Sequence, residues 1–178
     1  KKKNEVFLYR VMNCWGWGTW KDRWKYFEND SEKLINEFTE QDIKKFNLDD
    51  TESFWSQILD NHSGRINTWA TFWYATVFKN KGLCMNPFYS YVRNIGLDGS
   101  GVHKNINKKL QDLQVINNDG KFNPQIDIEE NFLAVNEIKK YYLNNSSSLK
   151  KITRSLIILF LSRKVLGRLQ NLWYRIRN

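Results

Sequence analysis

The chain has 178 residues, a net charge of +9, a pI of about 9.5, 15% aromatic residues and eight Trp. That length fits one domain with a substantial core. Cys14 and Cys84 are the only cysteines, which excludes a disulfide framework and a Cys-x-x-Cys zinc site and suits a reducing cytosol.

The charge is unevenly placed. Beyond Ile138 there are ten Lys and Arg and no acid, leaving 18 basic against 19 acidic residues in the rest of the chain. A high pI alone would suggest nucleic acid. A near-neutral body with a basic tail points instead to an anionic membrane surface, and no nucleic-acid partner is expected.

Lys1 to Asn4 lead straight into a strand-like run, Glu5 to Tyr9, with no apolar signal-peptide segment. The start falls in mid-pattern, so the chain is expected to be a piece of a longer protein. A Trp/Gly segment follows at Cys14 to Gly18. Thr19 is expected to cap a helix through Phe27, with Trp20, Trp24 and Phe27 at i, i+4 and i+7. Ser31 and Thr39 each open a short helix, to Phe38 and Phe46, and Thr39-x-x-Asp42 reads as a capping box. Thr51 or Ser53 begins a helix to Asn61 with Phe54, Ile58 and Leu59 on one face.

After Gly64, Asn67 is expected to cap a helix over Thr68 to Lys79. Its inner stripe would be Trp69, Phe72, Trp73, Thr76 and Val77, and Asn80-Lys81-Gly82 would stop it. Leu83 to Asn86 and Tyr89 to Ile95 read as strands, with Pro87 ending the first, and Gly96 to Gly101 as a turn. Leu113 to Ile116 is a possible strand, Ile126 to Leu143 a helix and Asn144 to Ser148 a polar linker. The tail, Leu149 to Arg177, reads as helical. Its apolar run Leu156 to Leu161 is closed by Arg163 and Lys164, far short of the ~20 residues that span a bilayer. Ile152, Leu156, Leu166, Leu169 and Trp173 help form a broad apolar side with Arg and Lys over most of the rest. This is the composition of an amphipathic helix lying in the headgroup layer.

Two stretches carry a resemblance. The first is Asn13-Cys14-Trp15-Gly16-Trp17-Gly18-Thr19-Trp20-Lys21-Asp22-Arg23-Trp24. The second runs from Gly64-Arg65-Ile66-Asn67-Thr68-Trp69 to Trp73-Tyr74, continues through Asn80-Lys81-Gly82-Leu83 and Pro87, and ends at Asn94-Ile95-Gly96-Leu97-Asp98-Gly99-Ser100-Gly101-Val102-His103. Over about residues 5 to 105 the chain resembles the carboxyl-terminal, acceptor-side part of bacterial family-2 glycosyltransferases of capsule and lipopolysaccharide loci.

The resemblance implies an α/β fold, the end of a GT-A domain with a mixed central sheet. As a piece it should be largely helical, with a few short strands and a carboxyl-terminal amphipathic helix. It implies three segments: 1–125 in the GT-A domain, 126–148 as helix and linker, and 149–178 as the basic helix. It also implies sugar transfer from a nucleotide-sugar donor to a glycan or lipid-linked acceptor, at the inner face of the bacterial plasma membrane, with residues 149–178 on the anionic surface. A divalent metal, Mn²⁺ or Mg²⁺, would be held mostly by a donor-binding half that this stretch lacks. The chain alone is therefore expected to be inactive and to expose apolar surface where that half would pack.

An inverting transferase needs a carboxylate to take the acceptor hydroxyl's proton, positive charge on the leaving diphosphate, and flat apolar walls to orient two sugars. Asp22, in the first helical turn after the Trp/Gly segment, is the first candidate for the base. It could equally serve as a partner for Arg23 or Lys25, and Asp98 is the alternative base. The position after Thr68-Trp69, acidic in other members, is Ala70 here. His103 is the candidate metal or diphosphate contact. Trp15, Trp17 and Trp69 are candidate sugar-stacking walls, with glycines between the first two that let the backbone bend. Arg65 is a candidate for donor phosphate or an acidic sugar, and Asn94 and Ser100 for hydrogen bonds to substrate. The rival readings are a non-catalytic carbohydrate- or membrane-surface-binding module and, more distantly, a nucleic-acid binder using the tail.

Overall fold

The computed structural model describes residues 6–93, 95 and 127–145. Among them are six helices and one two-stranded sheet. The mixed central sheet expected from the resemblance is not among these elements. The possible strand at 113–116 and the tail at 149–178 lie outside the described residues.

Strand β1 (Val6–Tyr9) pairs antiparallel with β2 (Cys84–Pro87), Val6 opposite Pro87 and Tyr9 opposite Cys84. The second strand thus lies one residue later than expected and includes Pro87. No strand forms over Tyr89 to Arg93. There the Ser90 hydroxyl donates to the Val92 carbonyl (2.6 Å) and accepts the Val92 N–H (3.3 Å), so local bonds replace a ladder.

Helix α1 is a single turn, Lys21–Trp24, and its cap position is Trp20 with no side-chain cap, not Thr19. One turn is unstable alone. Here Trp24 stacks on Phe27 (4.7 Å, 8°) and packs on Trp73 (4.8 Å), and that packing bends the chain before the helix can reach Phe27. Helix α2 (Ser31–Glu37) is capped by Asp30, which accepts the Lys33 N–H. The Ser31 hydroxyl meets His62 Nδ1 instead (3.1 Å). Helix α3 (Glu40–Phe46) carries the capping box read from Thr39 and Asp42.

Helix α4 (Trp55–His62) starts later than Thr51 or Ser53 because the chain first makes a left-handed turn. Leu48, Asp49 and Asp50 all have positive φ (52°, 55° and 64°). Such a backbone costs about 1–2 kcal/mol for each non-glycine residue. It is offset by the complete burial of Leu48 and by the Asn47 side chain accepting the Trp55 N–H (2.8 Å).

Helix α5 (Ala70–Lys79) begins after Trp69 rather than at an Asn67 cap. Asn61 takes the neighbouring backbone instead, accepting the Thr68 N–H (2.8 Å). Every residue from Thr71 to Thr76 is buried, so α5 is the central rod and not a helix with one inner stripe. It ends in a Schellman motif: Lys81 N–H donates to the Phe78 carbonyl and Gly82 N–H to the Val77 carbonyl. Lys81 holds the left-handed position (φ 53°). A Cβ on Gly82 would sit 3.0 Å from Val77 Cγ1.

Helix α6 (Phe132–Asn145) starts later than Ile126 because Asn131 caps it, accepting the Ala134 N–H (2.9 Å). Asn131 N–H itself donates to the Leu8 carbonyl on β1 (2.9 Å). Val135 packs into the same core as Leu34, Phe46, Leu48, Ile58 and Tyr74. The Tyr74 ring stacks on Phe46 (4.1 Å) and its hydroxyl donates to the Phe46 carbonyl (2.7 Å).

Arg10 joins three distant segments. Its backbone N–H and guanidinium donate to Glu130 (3.0, 2.9 and 2.6 Å), and Nη1 donates to Asp49 (3.1 Å). Lys139 of α6 pairs with the same Asp49. Burial works against ionisation of Asp49, yet hydrogen bonds from Lys139 and Arg10 outweigh it and hold the carboxyl below its usual range. A depressed pKa stabilises the fold at pH values above the unfolded value of about 4 and is lost as pH falls through the folded value.

Two outcomes follow for unfolding in urea. Arg10→Met should cost about 3 kcal/mol at pH 7, because it leaves two carboxylates partly buried without their partner. Asp49→Asn should also destabilise at pH 7, with the gap from the native chain narrowing below pH ~4. At the end of α5, Lys81→Gly should stabilise by about 1 kcal/mol by relieving the left-handed strain. Gly82→Ala should destabilise by about 1–2 kcal/mol through crowding against Val77.

Candidate functional site

The Arg10 clasp fixes the chain immediately before the Trp/Gly segment. Val11 is buried, and Asn13 then accepts the Trp15 N–H on its own side chain (3.1 Å), turning the backbone outward. Gly16 follows with φ 61°, and a Cβ there would lie 2.5 Å from Val92 Cγ1. Only glycine satisfies both the positive φ and this approach. Gly18 has open space around it.

This contact joins the Trp/Gly segment to residues 88–93, and both stretches contribute to the lining of one cavity of about 1160 Å³. Trp15, Trp17, Trp20, Trp73, Phe88 and Tyr91 line it together with the residues of β2. Trp17 packs on Trp69 (5.1 Å), Trp24 (5.7 Å) and Trp73 (6.3 Å), so an indole cluster backs the wall. Trp15 and Trp20 remain 46% and 71% exposed, which leaves large apolar faces open to a ligand. Asn13, Thr19, Asn80, Asn86 and Ser90 supply neutral polar groups to the same lining.

The expected site residues divide by position. Trp15 and Trp17 line the cavity. Trp69 stands behind Trp17, half-exposed, outside the lining. Asp22 is exposed on α1, 3.4 Å from Arg23, and does not line the cavity. Arg65 lies in the α4–α5 connection, paired with Asp60 and donating from Nε to Ser63 (3.1 Å), away from the cavity. Asn94, Asp98, Ser100 and His103 lie outside the described residues.

Sequence reasoning missed Arg93, Phe88 and Tyr91 as lining groups. The alternation of Tyr89, Tyr91 and Arg93 within the expected strand was the available signal. Among the described residues of the lining, Arg23 and Arg93 carry charge and no Asp, Glu or His is present.

Burial pushes the Cys84 thiol up to about 11, so it lines the cavity protonated and is a poor nucleophile or metal ligand at neutral pH. Among the described residues no three His, Cys, Asp or Glu are grouped to hold a metal ion. The expected metal contact, His103, lies outside the described residues, and no chemistry is routed through an ion. What the described arrangement can do is hold a flat, partly apolar ligand between aromatic walls and hydrogen-bond its edges. No helix among the described residues is long and apolar enough to cross a membrane. No protein-family model, curated protein or solved structure matches the chain.

Gly16→Ala should cost about 2–4 kcal/mol, combining left-handed strain with the clash at Val92. Val92→Ala in the same chain should recover part of that loss. Chemical unfolding followed by indole emission measures both, and additive effects of the two substitutions would show that Gly16 and Val92 do not meet.

Proposed function

We propose that the aromatic cleft is the acceptor site of a glycosyltransferase that moves a sugar from a nucleotide donor to a glycan or lipid-linked acceptor. The observation that carries this reading is the convergence of Trp15-Gly16-Trp17 and residues 88–93 on one open cavity walled by indoles. Exposed indoles are costly in water, and a sugar ring offers a matching apolar face with hydroxyls for the neutral polar groups around the rim. In this reading the cleft orients the acceptor and shields the reacting hydroxyl from water. A carboxylate must then accept the proton, and Asp22 and Asp98 are the candidates. The donor would be held by a part of the protein outside this chain. The basic tail, 149–178, would keep the assembly at the inner face of the membrane.

A second reading is a non-catalytic carbohydrate-binding module. It is favoured by the absence of any carboxylate from the described lining.

Calorimetric titration with a panel of bacterial surface oligosaccharides tests the shared claim. Trp15→Ala and Trp17→Ala should each weaken binding about tenfold, equivalent to ~1.4 kcal/mol of lost stacking. Unchanged affinity in both variants, or no binding to any oligosaccharide by the native chain, would contradict it. Transfer assays on the full-length protein separate the two readings. Asp22→Asn or Asp98→Asn should lower turnover by about 10²–10⁴-fold if that residue is the base. Native turnover in both variants would leave only the binding module.

A further inference from the structure

We propose that the glycan held in this cleft is acidic, with a sugar carboxylate received by an arginine of the lining, Arg23 or Arg93. The inference rests on the reading of the cleft as a glycan site and adds the class of glycan. Three observations carry it. The cavity lining contains two arginines and, among the described residues, no acid. Acids are not scarce in the described part of the chain: Glu32 and Glu37 on α2, Glu40 and Asp42 on α3, Asp60 on α4 and Glu137 on α6 are all outside the lining, as is Asp22 beside Arg23. The lining is therefore positive while the surrounding body is close to neutral.

The two arginines also differ in how they are engaged. Arg23 reaches only its neighbour Asp22, at 3.4 Å with both side chains more than 60% exposed, a contact that solvent screens heavily. Arg93 is exposed and has no hydrogen bond or ion pair within the described residues. Among the described residues neither guanidinium is held by a buried partner, and each can offer the paired N–H donation that a carboxylate accepts best. No lysine is among the described residues of the lining, so planar, two-pronged recognition is favoured there over a diffuse positive field. The indoles beside these arginines supply the flat wall that a sugar ring needs and that a bare diphosphate does not use. Aromatic rings and guanidinium groups lining one cavity fit a hexuronate or a sialate residue.

The test is titration calorimetry on the whole chain with a tetragalacturonate, a hyaluronan tetrasaccharide and sialyllactose. Each is compared with its carboxyl methyl ester, and uridine diphosphate is run in parallel. At least one acid should bind about tenfold or more tightly than its ester, and the gap should shrink as NaCl is raised from about 50 to 500 mM. Arg93→Gln and Arg23→Gln should each narrow the gap, and Arg93→Lys should keep part of it. Thermal unfolding midpoints matching the native chain establish that the variants are folded.

Equal binding of acid and ester overturns the acidic-glycan inference and leaves the cleft a site for neutral sugars. Uridine diphosphate binding more tightly than every acid, with the same dependence on Arg93, also overturns it and makes the arginines a phosphate site. Failure of every oligosaccharide, acid and ester alike, overturns the glycan reading and this inference together.

Discussion

Arg10 is the point at which the architecture is tied together. It sits one residue past β1, and its guanidinium reaches Glu130, just before α6, and Asp49 in the left-handed turn after α3. Segments up to 120 residues apart are thereby fixed to one side chain. The cationic fork adds to the burial of Leu48 and the Asn47–Trp55 bond in offsetting the cost of the positive φ values at Leu48, Asp49 and Asp50. Lys139 shares Asp49 and extends the tie onto α6 itself. The cleft depends on this tie because the Trp/Gly segment leaves the core only three residues after Arg10.

The cleft has a second constraint of its own. Gly16 and Val92 touch so closely that the two walls are held at a set separation, and the turn at Asn13 aims the first indole outward. Behind the wall, Trp17, Trp24, Trp69, Trp73 and Phe27 form a continuous aromatic pack that lets some rings stay exposed without the segment collapsing. Rigid backing and open faces together are what preorganised recognition of a flat ligand requires. The part-buried, protonated thiol of Cys84 adds to the lining without adding reactivity.

Local chemistry made several elements legible from sequence. The strand at Val6–Tyr9, the capping box of Thr39 and Asp42, and the helix stop at Asn80 to Gly82 all depend on residues within a few positions of one another. The Trp/Gly segment was legible as a candidate site for the same reason. Long-range constraints were not. The left-handed turn has no glycine to announce it, and its supports at Arg10 and Lys139 lie 39 and 90 residues away. Thr19 looked like a cap, but packing of Trp24 on Trp73 reduced that helix to one turn. Arg65 looked free to bind an anion and is taken by Asp60, while Arg93 lines the cavity from a stretch that looked like a strand. In each case tertiary contacts overrode a sound local signal.

The central claim is that ligand enters the cavity lined by Trp15, Trp17 and residues 88–93. The eight Trp make it directly observable, because each indole N–H gives its own signal in a nitrogen-15-labelled sample. On titration with the tightest-binding oligosaccharide, the signals of Trp15, Trp17, Trp20 and Trp73 should move together while that of Trp55, buried in the core, stays fixed. Saturable shifts confined to indoles outside that lining would contradict the account.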